Sequence, residues 1–582
     1  DFGWAGALQT CERLEATFAT LQTLERFRGH FYNWYDTRTA RVLAPAYVSS
    51  VDSGNLAGHL IALANACEEW VGAPLPADWT DGVGDALALA RESASAKPAA
   101  QGPQGQRLRA TLDDIDVGLQ SPAGLLLPVL QRLANKAAEE ARGLVSAVHA
   151  EGDDLLFWID TLRGRIKQQA RDAASLAAAA HGLDARWQAL AQQARTLALD
   201  MDFAFLLDPE RKLLSIGYAA VENVLDANCY DLLASEARLA SLFAIAKGDA
   251  PTRHWFRLGR TAIPVGRGSA LVSWSGSMFE YLMPSLVMRA PAGSLLEQTN
   301  RLIVQRQVAY GRQMGVPWGI SESAYNARDL EFTYQYSNFG VPGLGLKRGL
   351  AEDLVIAPYA TGLASMVDAP LAQRNFERLQ ALGALGRHGF YEALDFTRAR
   401  LPSGSQVAIV RNFMAHHQGM TLVAIANTLQ GARMRERFHR EPMIQACELL
   451  LQERMPRLVA VAHARAEEVP SGASEPHGDL NAVRRISMST MAAPATHLLS
   501  NGRYAVMLTA AGTGYSRWRD LAVTRWREDA TRDDWGAYVY LRDTDSGRVW
   551  SAAAQPLGVA TDSHEVVFAE DHAAFTRHDG SL

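Results

Sequence analysis

Apolar residues recur every three to four positions along most of residues 1–460, the spacing of helices that bury one face. In Leu56–Trp70 they fall at Leu56, Leu60, Ile61, Leu63 and Ala64, with Asn55 placed to cap the first turn. Cys229–Lys247 repeats the pattern, with Asp226 or Asn228 as cap and Gly248 as terminator. Phe376–Leu385 and Met420–Leu429 read the same way. Between these helices lie long stretches rich in Gly, Tyr, Trp, Ser and Asn: Phe31–Gly54, Gly266–Ser277, Gly315–Gly345 and Gly386–Gln406. Loops of this length inside a compact domain are usually functional. Helices joined by long aromatic loops predict an α/α toroid, in which paired helices ring a cleft.

Residues 85–200 are Ala-rich and lack the aromatic loops. Ala137–Ala147 and Ile166–Leu199 are helical by composition, and Lys97–Gln106 reads as a Pro/Gly/Gln linker. This part is a helical insertion beside the toroid or more of the same bundle. After about residue 480 the period changes. Arg503–Thr509 alternates apolar and polar residues, as a half-buried strand does. Ala537–Leu541 and Arg548–Ser551 flank turn chemistry at Asp543–Gly547, and His564–Ala569 is a further strand. The chain is thus mainly α, with a β-rich end. Residues 1–84 hold the first part of the toroid, 85–200 the insertion, 201–460 the main part and 480–582 the β-rich segment.

Composition narrows the partners. Among 582 residues, 57 basic against 63 acidic side chains give a net charge of −6, which leaves no basic footprint for nucleic acid. With 48% apolar residues the chain can bury a core, so overall disorder is excluded. Cys11, Cys67, Cys229 and Cys447 are scattered, without a C-x-x-C pair, which argues against a disulfide framework and a thiolate zinc site. No apolar run is long enough to span a membrane, and no membrane contact is required. The opening DFGWAG lacks the pattern of a signal peptide, and the chain is expected to be part of a longer protein.

Some motifs fail on inspection. Gly343-Leu344-Gly345 breaks the G-x-G-x-x-G phosphate loop because Arg348 stands where the third Gly belongs. His416 and His417 are adjacent, so they cannot share a helix face as a metal pair. No G-x-S-x-G elbow exists. Neither metal nor cofactor is expected.

What remains is carboxylates set among aromatics and amides, the mixture a sugar site needs. Aromatic rings stack on the apolar face of a pyranose, and polar side chains bond its hydroxyls. Cleaving a glycosidic bond requires two carboxyl groups. Glu322 stands in VPWGISESAYN between Trp318 and Tyr325, a poor setting for a solvated charge. Glu236 stands in YDLLASEARLAS on an apolar helix, with Arg238 as its close basic neighbour. Burial there favours the neutral form, which suits an acid catalyst; a structural Glu–Arg pair is the alternative. Glu280 in SMFEYLMPS and Asp52 in YVSSVDSGN have similar surroundings, and Glu392 in GFYEALDFT is another acidic candidate. Position alone does not choose among them. Trp34, Tyr35, Trp318, Tyr325, Tyr334, Tyr336 and Tyr391 are expected to line the cleft, and Tyr230, Arg238, Tyr281, His416 and His417 to complete the substrate contacts.

Nine stretches together resemble the central region of bacterial cyclic β-1,2-glucan synthases: FYNWYDTRT, YVSSVDSGNLAGHL, NCYDLLASEARLASLFAIAKGD, HWFRLGR, SMFEYLMPSLVM, VPWGISESAYN, YQYSNFGVPGLGLKRGL, HGFYEALDFT and NFMAHHQGM. They cover most of residues 27–75 and 200–430. The resemblance implies an (α/α)6 toroid that closes a linear β-1,2-glucan into a ring by anomer-retaining transglycosylation. It implies Glu236 as acid/base and Glu322 as nucleophile. It also implies that residues 500–582 begin a β-sandwich like that of glycoside phosphorylases. The partners would be β-1,2-glucan and the other domains of a large inner-membrane synthase, with this part soluble on the cytoplasmic side. The rivals are an inverting β-1,2-glucanase and a non-catalytic glucan-holding scaffold.

Overall fold

The computed structural model describes residues 1–72, 79–97, 101–120, 127–145, 153–177, 181–266, 268–330, 332–402, 404–454, 484–487, 495–526, 534–559, 561, 563–569 and 571–578. The chain divides into two units, Asp1–Pro470 and Ser471–Leu582.

The first unit is mainly helical. The helix Ser50–Trp70 starts six residues before the expected Leu56, because the Ser49 hydroxyl, not Asn55, accepts the Asp52 N–H at 3.2 Å. Asp52 lies in the first turn, where a negative charge meets the positive helix end. This helix packs closely on Arg238–Lys247: a Cβ added to Gly54 would fall 2.2 Å from the Ala240 Cβ. The second helix is shorter than Cys229–Lys247. Residues 229–237 satisfy their backbone elsewhere, through Tyr230 N to Leu214 O and Leu233 N to Gly259 O, at 2.9 and 3.0 Å. Gly248 ends it with φ 93°, a left-handed cap that favours glycine.

The helix Ala369–Ala381 is capped by Asp368 at Leu371 N and stops before the expected Leu385. Leu385–Gly386 instead pairs with Gly389–Phe390 as a strand. Ala415–Leu429 begins five residues before Met420, which brings His416 and His417 into its first turn. The long loops contain short antiparallel strands. Ala262–Val265 pairs with Gly268–Leu271, Ser323–Arg328 with Tyr334–Ser337, and Ala393–Asp395 lies between Val355–Ile356 and Ala408–Val410. Tyr47–Ser49 pairs with Gly217–Ala219.

The Ala-rich segment is not one piece. Trp79, Val83, Leu87, Leu112, Ile159 and Ile166, on helices from Trp79–Ser95 to Asp154–Ala177, share a core of their own. The helix His181–Asp200 belongs to the main core through Trp187, Leu190 and Leu197, with Trp187 4.9 Å from Trp70. Within the linker expected at Lys97–Gln106, residues 98–100 lie outside the described residues, and Pro103 opens the helix Pro103–Leu119. A proline suits the first helical turn because no backbone N–H is needed there. Among the described residues no helix is long and apolar enough to cross a membrane.

The second unit is β-rich. Thr496–Ser500, Tyr504–Thr509, Gly514–Trp518 and Leu521–Ala522 form a four-stranded meander. Ser563–Phe568 lies between Arg484–Ser487 and Ala573–His578, and Tyr540–Arg542 pairs with Val549–Ser551 around the expected turn.

The glycines give a stability test. Gly54→Ala drives a methyl group into the Ala240 backbone and should cost about 3 kcal/mol. Gly84→Ala, in the interior of Trp79–Ser95 with no atom within 4 Å of the new Cβ, should stabilise by about 0.5–1 kcal/mol. Thermal unfolding of both variants checks this. Equal effects would contradict the close helix contact.

Candidate active site

The backbone around Glu322 is pinned from three helices. Gln307 on Leu295–Met314 clamps residue 320, accepting from Ile320 N at 2.9 Å and donating to Ile320 O at 2.8 Å. Asn375 on Ala369–Ala381 does the same for Trp318, at 3.2 and 2.8 Å. The Tyr359 hydroxyl, on Pro358–Ser365, lies 2.7 Å from Ser321 Oγ and 2.9 Å from the Glu322 carbonyl oxygen. Gly319, at φ 124°, lets this strand pass close to Ala357. None of Gln307, Asn375 and Tyr359 was singled out from the sequence. Their only signal there is a polar group on an otherwise apolar helix face.

The Glu322 carboxylate accepts from the Tyr336 hydroxyl at 3.0 Å. Burial raises its pKa from 4.5 to about 7, the Tyr336 bond opposes the rise, and the charges of Glu280 and Asp52 add to it. Glu236 sits just before the helix Arg238–Lys247, with Ser235 Oγ at 3.4 Å. Burial, then Glu280, then Glu322 raise its pKa from 4.5 to about 8. The two candidate glutamates are therefore close enough for the charge of Glu322 to act on Glu236; near neutrality Glu236 keeps its proton while Glu322 is near its midpoint.

Glu280 behaves differently. It is buried, and it accepts from Ser273 Oγ at 2.8 Å, Ser275 Oγ at 2.7 Å, Ser275 N at 3.0 Å and Ser277 N at 3.3 Å. It also closes the capping box of Met278–Leu282 with Ser277. Its oxygens are taken, so it is no free hydroxyl binder as expected; it acts through its charge. The GVPGLGLKRG segment, Gly340–Gly349, explains itself here. A Cβ on Gly340 or Gly345 would strike Ser275, at 1.7 Å from its carbonyl oxygen or 2.5 Å from its carbonyl carbon. These glycines let the segment lie against the turn that holds Glu280.

Asp52, exposed at its helix start, raises Glu322 and Tyr336 through its charge. The Tyr230 phenol is held well above 10 by burial, with Glu236, Asp52, Tyr47 and Glu322 adding. Glu392 is buried and joined to His417 Nδ1 at 2.8 Å. His417 Nε2 lies 3.3 Å from the Tyr336 hydroxyl. His416 stands at the helix start with its ring 6.4 Å from Tyr336; its edge reaches solvent, but the protein crowding the rest of the ring, then His417, lower its pKa to about 4, so it is neutral at pH 7. The structure thus brings together Asp52, Tyr230, Glu236, Glu280, Glu322, Tyr336, Glu392, His416 and His417.

Of the other expected cleft residues, Trp318, Tyr281 and Arg238 are buried, and the rest hold other contacts. Trp318 is only 4% exposed and packs in the core. Tyr281 is buried with its hydroxyl 2.9 Å from the Leu271 and Leu344 carbonyls. Arg238 is buried and donates to the carbonyls of Ser235, Glu280 and Tyr281, holding backbone rather than substrate. The Tyr35 hydroxyl donates to Glu25 O at 2.7 Å and accepts from Tyr32 N at 2.8 Å. Tyr325 packs edge-on against Phe339 at 5.5 Å beneath Arg400. Tyr334 lies under Arg328, and Tyr391 packs against Phe413 at 5.3 Å. Trp34 is 68% exposed and takes no part in the contacts that join the acids. An aromatic residue supplies core and sugar platform alike, and burial decides which.

Comparison with known proteins follows the same division. Residues 228–442, which carry Glu236, Glu280, Glu322, Tyr336, Glu392 and His417, match the Glycoamylase family, described as "Putative glucoamylase". Residues 481–582 match the glycosyl hydrolase 94 supersandwich domain. The cyclic beta-(1,2)-glucan synthase NdvB of Rhizobium meliloti (strain 1021) is 46% identical over 599 residues, covering 100% of this chain and 21% of that protein. The chain therefore spans about one fifth of the relative's length. The N,N'-diacetylchitobiose phosphorylase of Vibrio proteolyticus is 36% identical over 80 residues, 13% of this chain and 10% of that protein. A solved endo-beta-1,2-glucanase from Chitinophaga pinensis, in complex with sophorotriose and glucose, is 14% identical with a TM-score of 0.36, over 76% of this chain and 97% of that one.

The raised pKa values predict a pH trend in stability. Between 4.5 and about 8 the folded state keeps a proton on Glu236 that the unfolded chain has released. Stability contributed by this group is present below 4.5 and falls as pH rises through that window. Glu236→Gln should barely change the melting temperature at pH 5 and raise it by a few degrees at pH 8. A difference that stays flat or shrinks with pH would contradict the burial of this carboxyl.

Proposed function

From a chain related along its whole length to one segment of the cyclic β-1,2-glucan synthases, we propose a transglycosylase that cuts linear β-1,2-glucan and rejoins it to its own non-reducing end. The observation that carries this reading is the pair of half-buried carboxyl groups, Glu236 and Glu322, both pushed towards protonation, with the charge of Glu322 adding to the rise at Glu236. In it, residues 1–84 and 201–460 form an (α/α)6 toroid with the acids at one end, and residues 85–200 are an insertion beside it. The segment acts as a soluble part of a larger inner-membrane synthase, on its cytoplasmic side, beside the phosphorylase-like part that begins with the β-rich unit.

Each glutamate has a role suited to its surroundings. Glu236, raised to about 8, carries a proton at neutral pH and gives it to the departing glycosidic oxygen. Glu322, held by Tyr336, attacks the anomeric carbon in its ionised form and makes a glycosyl ester. Glu236, now ionised, takes the proton of the chain's own terminal 2-hydroxyl, whose oxygen displaces Glu322. Two inversions leave the anomeric configuration retained. Asp52, Tyr230 and the neutral His416 supply hydrogen bonds for sugar hydroxyls around the cut, and the open face of Tyr336 offers stacking surface.

Incubation with linear β-1,2-glucan, followed by mass spectrometry and NMR, should give cyclic glucan with retained configuration. Linear products of inverted configuration would replace this reading by the inverting glucanase, and glucan bound but unaltered by the scaffold. Glu236→Gln and Glu322→Gln should each lower kcat by roughly 10³-fold or more. With azide, Glu322→Gly should yield the inverted glycosyl azide and Glu236→Ala the retained one. Near-normal turnover in either Gln variant would sink that residue's assignment.

A further inference from the structure

Four side chains run in line from Glu322 into the protein. Tyr336 Oη is 3.0 Å from Glu322 Oε1, His417 Nε2 is 3.3 Å from Tyr336 Oη, and Glu392 Oε1 is 2.8 Å from His417 Nδ1. His417 and Glu392 are 0% and 2% exposed. The Tyr359 ring lies flat on the His417 imidazole at 3.7 Å and 11°, and fixes its plane. Glu392 Oε1 also accepts from Ala324 N at 3.2 Å, while Glu392 Oε2 has no hydrogen-bond partner among the described residues. A buried carboxylate so thinly bonded gains most if the imidazole beside it becomes a cation.

Two proton arrangements fit this line. In one, Glu322 is a neutral acid that donates to Tyr336, Tyr336 donates to His417 Nε2, and His417 donates from Nδ1 to the Glu392 carboxylate. In the other, His417 is an imidazolium donating to Glu392 and Tyr336, and Tyr336 donates to the Glu322 carboxylate. They differ by two short proton hops and carry the same total charge. We propose that Tyr336, His417 and Glu392 form a proton relay that ionises Glu322 in place for its attack on the glucan. The O–H bond of Glu322 breaks as one forms at Tyr336, whose own O–H breaks as an N–H forms at His417 Nε2. The imidazolium is held by Glu392. Solvent is not needed, which matters once a glucan fills the cleft and excludes water. His417 and Glu392 are thus positioning residues that act through Tyr336. The inference rests on Glu322 as nucleophile and adds a function for three residues first taken as sugar contacts.

The charged and titratable groups facing this line are known. Glu322 meets Tyr336, Glu280, Asp52 and Glu236; His417 meets Glu392, Tyr336, His416 and Tyr359. The test compares the 582-residue chain with Glu392→Gln, Tyr336→Phe and the double variant, on linear β-1,2-glucan from pH 5 to 9. Each single variant should lower kcat roughly 10–100-fold with KM little changed. The acid limb of the kcat profile should move to higher pH, because Glu322 keeps its proton longer. Loss of the Glu392 charge acting only through space would move it the other way. The double variant should be no worse than the worse single one, since a relay broken once is broken. A limb in Glu392→Gln that stays put or moves to lower pH overturns the relay, and so do additive losses. Should Glu392→Gln fail to fold by thermal melt, the partly exposed Tyr336→Phe decides alone: an unmoved limb overturns the relay. Glu322→Gln, run alongside, separates the two readings. If it stays active the nucleophile assignment fails; if it is inactive while the other profiles are unchanged, only the relay fails.

Discussion

The site is organised by the cost of taking a carboxylate out of water. An ionised carboxyl in a protein interior is expensive unless hydrogen bonds replace its hydration. Glu280 receives that replacement, with serine hydroxyls and main-chain N–H groups around it. Glu236 and Glu322 do not. Among the described residues Glu236 has its own main-chain N–H and a weak contact with Ser235, and Glu322 one bond from Tyr336, so burial moves both towards the protonated form. Similar carboxyls thereby acquire different chemistry from their surroundings alone. The charge of Glu280, held by its own hydrogen bonds, adds to the rise at both neighbours.

Such an arrangement works only if nothing relaxes. Repelling acids would drift apart on a mobile loop, and here the loops are tied at main-chain level. Gln307 and Asn375 each hold both the N–H and the C=O of one residue of the Glu322 strand. Gly340 and Gly345 allow the next segment to press on the Ser275 turn that carries the bonds to Glu280. Gly54 lets the helix of Asp52 touch the helix that follows Glu236. Amide clamps and missing side chains do here what a second layer of residues does around any preorganised site.

These features divide what the sequence revealed from what it hid. Helical periodicity located Ser50–Trp70 and Ala415–Leu429, and strand alternation located Tyr504–Thr509, because each is long enough to show its period. Strands of two to four residues, such as Tyr47–Ser49 and Ala393–Asp395, leave no such trace, so they were read as loop. Glu322, Glu236 and their acidic neighbours stood out by chemical contrast with an apolar or aromatic setting. Glu280 shared that contrast, yet its serine partners make it structural; only three-dimensional bonding separates the two cases. Trp318 and Tyr281 failed for a related reason, since an aromatic residue looks the same from sequence in a core or on a cleft wall. Tyr359, Gln307 and Asn375 were invisible because their value lies in what they hold.

The separately cored helices add one more constraint. Their last member, Asp154–Ala177, meets the hairpin of Leu385–Gly386 and Gly389–Phe390 at its turn: Arg387 pairs with Asp154 and lies 5.2 Å from the Phe157 ring, and His388 meets that ring edge-on at 5.4 Å. The same hairpin leads directly into Tyr391 and Glu392. His388 is also 6.3 Å from Phe413, which packs on Tyr391 and stands three residues before His416. A cluster of helices outside the family-matched residues 228–442 thus abuts the two segments that deliver Glu392 and His417. The line from Glu392 and His417 to the Glu322 carboxylate runs through Tyr336, and its longest contact is the 3.3 Å between Tyr336 and His417, the one a shift of the hairpin would change most easily. The Ala-rich helices therefore bear on the placement of this hairpin, and among the described residues they reach the group of acids only through it.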